Sequence, residues 1–217
     1  MIDRVMIVVA AGSGARFGDD KMMVRVAGLP LVAHTVAALS GHADRCILVC
    51  RPDQMPALSD LAPGVDLVPG GPTRTASEMA GLAAVGGPTR LIGIHDGARP
   101  LVDHALVELL FETAAKVGGA VPVVDPGPLV RRSDLAIIEG AVLAQTPQVF
   151  RGAGLVAAYE AAAAVGFVGA DTAEVLRRFG TLEIGTVAGD PGNIKVTEPG
   201  DLERVRARLE SLDTGLR

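Results

Sequence analysis

The sequence predicts an α/β fold: one domain, built on a mostly parallel sheet with helices on both faces. Three observations predict it. Strand-like apolar runs alternate with helix-like amphipathic runs along most of the 217 residues, the pattern of βαβ units. The first apolar run, "VMIVVAA", breaks into a glycine turn, "GSGARFG". Hydrophobic residues make up 49% of the chain and aromatics only 3%, so a core large enough for one domain must be built from Ala, Val, Leu and Ile.

Each element has its own signal. "VMIVVAA" reads as a buried strand and "LVAHTVAALSG" as an amphipathic helix closed by Gly41. "RCILVCR" is the second strand, and residues 53–62 form a helix. "VDLVP" is a short strand, and a helix begins near Thr75 and stops near Gly86. "RLIGIHDGARP" is a strand running into a loop. A long helix capped by Asp103 ends in glycines and is followed by the strand "AVPVVD". The alternation then breaks. "LVRR" and "AIIEGAVL" are β-like pieces around polar turn residues, and they predict a hairpin or arm over 126–145 leaving the main sheet. "GLVAAYEAAAAVG" and "DTAEVLRRFG" are helical, "LEIGTVAG" is a strand, "DPGNIKV" a turn and strand, and "PGDLERVRARLESL" the last helix. No internal repeat or linker divides residues 1–217.

Composition excludes several function classes. The formal charge of −5 makes the chain a poor partner for a polyanion, so no nucleic-acid binding is expected. No apolar run reaches the roughly 18 residues of a membrane span. The start, "MIDRVMIVVAAG", reads straight into a strand and lacks a signal-peptide pattern. Cys46 and Cys50 share one strand and fit two reduced core thiols of a cytoplasmic protein. Of 20 basic residues only Lys21, Lys116 and Lys195 are lysines. Two of them, Lys21 and Lys195, stand beside Gly- or Asn-containing loops, where a point charge on a flexible stem suits a phosphate.

The glycine turn carries the chemistry. In an open α/β sheet, ligands bind beyond the carboxyl ends of the strands, and Gly12 and Gly14 allow backbone N–H groups to approach a phosphate. A dinucleotide motif would need Gly or Ala where Phe17 stands, and the Gly-Lys-Ser/Thr ending of a P-loop is absent. What remains is a small-residue loop followed by Arg16 and Lys21. The two cations suit nucleotidyl transfer, in which the α-phosphate and the departing pyrophosphate gather negative charge; they also fit two solvated loop charges. Three further stretches favour the first reading. "GGPTRTASEMAGL" places Ser77 to hydrogen-bond a base, "HDGARP" puts Asp96 and Arg99 at a strand end, and "GDPGNIKVTEPGDL" brings Lys195 to a tight turn. A carboxylate at position 96 could hold a divalent cation or a ribose hydroxyl.

Taken in order, "AAGSGAR", "GGPTRTAS", "HDGARPLV", "AQTPQVF" and "NIKVTEPGDL" resemble the 2-C-methyl-D-erythritol 4-phosphate cytidylyltransferases of the non-mevalonate isoprenoid pathway, over nearly the whole chain. The resemblance implies a Rossmann-like nucleotidyltransferase core, a projecting β-arm and a homodimer whose arms interlock. It implies CTP as substrate, Mg²⁺ as cofactor, and a small phosphorylated polyol as acceptor. Ala10, Ala11, Gly12, Ser13 and Gly14 would line the nucleotide, and Gly71 and Ser77 would contact cytosine. Arg16 and Lys21 would stabilise the triphosphate, and Lys195 would lie near the α-phosphate. Asp96 and Gly97 would lie near ribose and metal, and Arg99 and Thr146 near the acceptor.

The sequence departs from the family pattern mainly in the acceptor half. "DDKMM" replaces the usual Pro-Lys-Gln run, placing Asp19 and Asp20 beside the triphosphate site. Pro72 follows Gly71, Pro126 follows Asp125, and Ala170 precedes Asp171. Ile138 stands where the family carries an arginine for the acceptor phosphate, a contact that Arg131 or Arg132 on the arm could replace. Two other readings stand beside the first: a paralogue acting on another phosphorylated acceptor such as a pentitol phosphate, and a nucleotide-binding protein without turnover.

Overall fold

The computed structural model describes residues 2–12, 17 and 20–215. β1 (Ile2–Val9) is followed by a small hairpin of β2 (Arg25–Val26) and β3 (Leu29–Pro30). Ala27 and Gly28 turn that hairpin with φ of 46° and 84°, both positive as a type I′ turn requires. α1 (Leu31–Leu39) leads to β4 (Arg45–Cys50), and a 3₁₀ turn, Pro52–Gln54, leads to α2 (Met55–Leu61) and β5 (Asp66–Pro69). α3 (Arg74–Val85) starts where the Thr73 hydroxyl accepts the Ala76 N–H and stops at Gly86, φ 74°. β6 (Thr89–Asp96) precedes α4 (His104–Val117), whose first N–H groups are capped by Asp103, and β7 (Gly118–Val124) follows.

β8 (Leu129–Val130) and β9 (Ile137–Ile138) pair only with each other and form the arm. β10 (Leu143–Ala144) and β11 (Gln148–Arg151) return to the sheet, and α5 (Gly152–Ala164), α6 (Thr172–Phe179), β12 (Glu183–Ala188) and α7 (Pro199–Gly215) complete the chain.

Eight strands share one sheet in the order β10-β7-β11-β6-β1-β4-β5, with β12 on β7. The alternation of side chains along β1 assigns its two faces. Met6 and Val8 pack with α1, α4 and α7 residues such as Leu39, Phe111 and Val205. Val5 and Ile7 pack with Leu82 of α3 and with Leu155 and Tyr159 of α5. Both faces of β1 are therefore buried, as central parallel strands require. Cys46 and Cys50 are free, and burial pushes both thiols up to about 11.

Two expectations need correction. β11 was not expected as a strand. It runs antiparallel between β6 and β7, a four-residue piece with Pro147 before it and Gly152 after it. β10 and β11 pair along β7 with four residues between Ala144 and Val149 against two on β7. The "QTPQ" segment is thus a bulge, which includes a cis peptide bond at Thr146-Pro147. "DPGNIKV" is not a strand. Its conformation is held by side chains: Gln145 Nε2 donates to the Asp190 carbonyl at 2.7 Å, and Asn193 Nδ2 to the Thr146 carbonyl at 2.9 Å.

β4 and β5 follow β1 on one side and β6 lies on the other. The crossovers therefore diverge at the carboxyl ends of β1 and β6, the switch point where such sheets bind ligands.

Candidate active site

A cavity of about 500 Å³ opens at that switch point. Its first wall is the end of β1, with Val9, Ala11 and Gly12. Its second is the β5–α3 turn, with Gly71, Pro72, Thr73, Arg74 and Ser77, and its third the end of β6, with Asp96, Gly97 and Ala98. Lys21, Met22 and Lys195 complete the lining.

Close backbone approach explains two glycines in these walls. A Cβ on Gly97 would stand 2.8 Å from the Ala10 Cβ, and one on Gly70 would stand 2.1 Å from the Ala11 Cβ. Side chains there would push the strand ends apart. The Gly97 N–H instead reaches the Val9 carbonyl at 2.9 Å.

Asp96 is the electrostatic centre. It is 5% exposed, and its carboxylate meets Arg74 Nη1, Arg99 Nε at 3.4 Å and Lys195 Nζ at 2.9 Å. Burial alone would raise its pKa, but Arg74, Lys195 and Arg99 outweigh it and hold the carboxyl well below the usual range. The Asp96 N–H donates to Thr146 Oγ1 at 3.0 Å. His95, fully buried, joins the same chain: Nε2 lies 3.0 Å from the Arg99 carbonyl and Nδ1 3.1 Å from Thr146 Oγ1. A carbonyl only accepts, so Nε2 carries the proton and Nδ1 accepts from the threonine hydroxyl. Burial pushes the imidazole down to about 4, and it is neutral at pH 7.

Lys21 Nζ donates to the Val196 carbonyl at 3.1 Å, joining the β1 loop to the segment that carries Lys195. The negative charge expected beside it is engaged elsewhere on the Asp20 side. Both Asp20 carboxylate oxygens accept from Gln54 Nε2 at 2.8 Å, and Arg51 lies 3.7 Å away.

The structure brings Ala11, Gly12, Lys21, Gly71, Ser77, Asp96, Gly97 and Lys195 to one cavity. Ser13, Gly14 and Arg16 lie outside the described residues. Five other expected residues are not among those that line the cavity. Ala10 is fully buried, and its N–H donates to the Val49 carbonyl at 2.7 Å, so it supports the wall without lining it. Thr146 is 3% exposed, with its hydroxyl committed to Asp96 and His95. Arg99 is committed to Asp96 and, at 2.7 Å, to the Asn193 carbonyl. Both hold the Asp96 loop through these bonds. Arg131 and Arg132 stand on the exposed arm, and neither lines this cavity. The Ser77 hydroxyl lies in the cavity wall and accepts the Gly71 N–H at 3.1 Å, fixing the turn that a base would meet.

Sequence reasoning missed Arg74 and Glu78. The i, i+4 spacing of an arginine and a glutamate at a helix start was a usable signal. Glu78's other partners, Tyr159 and Thr172, are 81 and 94 residues away, and no local pattern shows them.

Mg²⁺ is commonly held by one or two carboxylates together with substrate phosphates. Among the described residues no group of three or more His, Cys, Asp or Glu side chains could hold a metal. Asp96, kept ionised on the cavity wall, fits one ligand of an ion that arrives on a triphosphate. A polyanion facing lysines, backbone N–H groups and one carboxylate is the arrangement that phosphoryl chemistry needs.

Known proteins share this chain's sequence and architecture. Residues 4–211 match the family described as IspD, 2-C-methyl-D-erythritol 4-phosphate cytidylyltransferase. A protein of that name from Cereibacter sphaeroides is 41% identical, with 97% of this chain and 98% of the relative covered. One from Bacillus licheniformis is 34% identical over 95% of each. The crystal structure of 2-C-methyl-D-erythritol 4-phosphate cytidylyltransferase from Thermus thermophilus superposes with a TM-score of 0.81 at 31% identity, covering 95% of this chain and 99% of that one.

Proposed function

This chain belongs to the IspD family of 2-C-methyl-D-erythritol 4-phosphate cytidylyltransferases, and from that premise we propose how its residues perform the reaction. It transfers CMP from CTP to 2-C-methyl-D-erythritol 4-phosphate in isoprenoid synthesis. A phosphate oxygen of the acceptor attacks the α-phosphorus of CTP. The bond from that phosphorus to the bridging oxygen breaks, and pyrophosphate leaves with the electron pair. No protein nucleophile is required.

Cytosine sits on the Gly71–Ser77 wall, and the triphosphate lies along Ala11 and Gly12 beneath Lys21. Arg16, from the same loop by motif, is the second cation on the triphosphate. Lys195 leaves Asp96 for the α-phosphate, where a charge-assisted contact contributes on the order of 1.5–3 kcal/mol. Asp96 would hold a divalent cation, which would supply positive charge against the charge developing on the leaving group. The observation that carries this assignment is the convergence of Lys21, Lys195 and Asp96 on one cavity at the β1–β6 switch point.

The arm supports a homodimer. Leu135 is 73% exposed and Ile137 70%, with Val130, Ile138, Val142 and Leu143 exposed beside them. Such a patch is costly on a monomer. The arm of a second copy, carrying Arg131 and Arg132, would cover it and bring those arginines to the acceptor phosphate.

The test is pyrophosphate release with CTP, Mg²⁺ and 2-C-methyl-D-erythritol 4-phosphate. Turnover on the order of 1 s⁻¹ or faster, typical of working enzymes, supports the reading. CTP binding without release would overturn it. Loss of Mg²⁺ dependence would remove the metal alone, and sedimentation at the monomer mass would remove the dimer alone.

A further inference from the structure

We infer that Arg74 is a positioning residue for Asp96, and that the buried Glu78 fixes Arg74 in the orientation that does so. The inference rests on the reading of the cavity as the CTP site.

Arg74 is the first residue of α3. Its Nε donates to Glu78 Oε1 at 2.9 Å, and its Nη1 meets Asp96 Oδ1. Its Nη2 makes no hydrogen bond among the described residues, so the contacts to Glu78 and Asp96 orient the planar fork. In a guanidinium the N–H directions are rigidly related. Holding Nε on Glu78 therefore aims Nη1 at Asp96.

Glu78 is 0% exposed. Besides Arg74 it accepts from Tyr159 Oη at 2.7 Å and from Thr172 Oγ1 at 3.0 Å. Those donors come from α5 and from the first turn of α6, so three helices define where the carboxylate sits. A buried ion pair is rarely the most stable filling for such a space; apolar residues of similar volume often serve as well or better. What this pair adds is a fixed direction.

Asp96 needs such an anchor. Of its three cations, Lys195 is 37% exposed, whereas Arg74 is 22% and Arg99 12% exposed. A phosphate entering the cavity competes with Asp96 for Lys195. The Arg99 side chain holds the Asp96 carboxylate only through a 3.4 Å contact and is tied to the Asn193 carbonyl. Arg74 is thus the partner that keeps Asp96 in place when Lys195 transfers to the nucleotide.

A double-mutant cycle tests this. Arg74→Gln, Asp96→Asn and the combination are compared in kcat and in kcat/KM for CTP. Groups that orient a charged site residue usually contribute 10–100-fold, so Arg74→Gln should lower kcat/KM by roughly that factor. In the Asp96→Asn background the same change should cost less than about twofold, because residues acting as one unit are non-additive. A double variant whose loss equals the product of the single losses overturns the inference. Glu78→Gln should lower kcat/KM in the same direction and add nothing once Arg74→Gln is present; an independent loss overturns the role of Glu78.

Arg74→Gln leaves Glu78 buried without its cation and could impair folding. The paired variant Arg74→Met/Glu78→Gln removes both charges together and keeps a polar partner for the Tyr159 and Thr172 hydroxyls. It should melt near the parent temperature yet keep the loss of turnover. Parent-like turnover in that variant overturns the inference. A parent protein that does not turn over CTP with the acceptor sinks the proposed reaction instead. The cycle is then read in the dissociation constant of Mg²⁺–CTP by titration calorimetry, where additive losses again overturn the positioning role.

Discussion

Thr146→Val isolates the hydroxyl that joins the Asp96 loop to the β10–β11 bulge. Valine keeps the size and branching of threonine, so no cavity opens. Two hydrogen bonds disappear: the Asp96 N–H loses its acceptor at 3.0 Å, and His95 Nδ1 loses its donor at 3.1 Å. A buried N–H left without a partner costs about 1–3 kcal/mol, and an ordinary hydrogen bond contributes about 1 kcal/mol net. The sum is about 2–4 kcal/mol. For a chain of this size that corresponds to a fall in melting temperature of roughly 5–15 °C, at about 2–4 °C per kcal/mol. Urea unfolding at about pH 7.5 measures the free energy, and a thermal scan measures the midpoint. Thr146→Ser, which keeps the hydroxyl and loses one methyl, should cost only about 1 kcal/mol. Because the lost acceptor positions Asp96, the valine variant should also lose turnover, while the serine variant should retain it. A valine variant within about 0.5 kcal/mol of the parent, the scale of an inert surface change, would refute the assignment of this hydroxyl as the link.

Three further outcomes are expected. Gly97→Ala places a Cβ 2.8 Å from the Ala10 Cβ; overpacking of this kind costs about 1–3 kcal/mol, and CTP affinity measured by calorimetry should fall with it, unchanged affinity being the contrary result. His95 has a folded pKa of about 4 against 6.5 unfolded, so the unfolded chain binds the extra proton between these values. Its stabilising contribution is complete above pH 6.5 and is lost as pH falls toward 4, amounting to about 3 kcal/mol by about pH 4.5. Burial raises the Glu78 carboxyl, a shift of opposite sign, so the test is the difference between parent and His95→Asn. The stability gap between them should narrow as pH falls from about 7 to about 4.5, and a constant gap would refute the assignment. Lys21→Ala should lower kcat by orders of magnitude, because its charge acts chiefly on the transition state. Loss of its bond to the Val196 carbonyl should itself cost about 1 kcal/mol of stability. Parent-like rates would remove Lys21 from the mechanism.

The site was legible where its chemistry is local. Glycines at 12, 71 and 97, the lysines at 21 and 195, and Asp96 at a strand end are each visible as residue types beside a strand-to-loop break. The structure brings them to one cavity. Thr146 and Arg99 were visible as motif members, but their direction was not. A hydroxyl in "QTPQ" reads equally well as a ligand contact or as a link to a neighbouring strand, until the bulge turns it onto the Asp96 N–H. β11 was missed because a four-residue strand between Pro147 and Gly152 has no periodicity to speak for it.

The alternation of strands and helices, the two faces of the sheet, the place of the arm and the two lysines that line the cavity could all be read along the chain. Those features follow from apolar period, turn residues and charge, which act over a few neighbours. Which groups share a charge was settled by folding alone. Asp96 collects cations from positions 74, 99 and 195, and Glu78 collects donors from positions 74, 159 and 172. Coulomb and hydrogen-bond energies depend on distance in space and on burial, and both are fixed only when the helices close over the sheet.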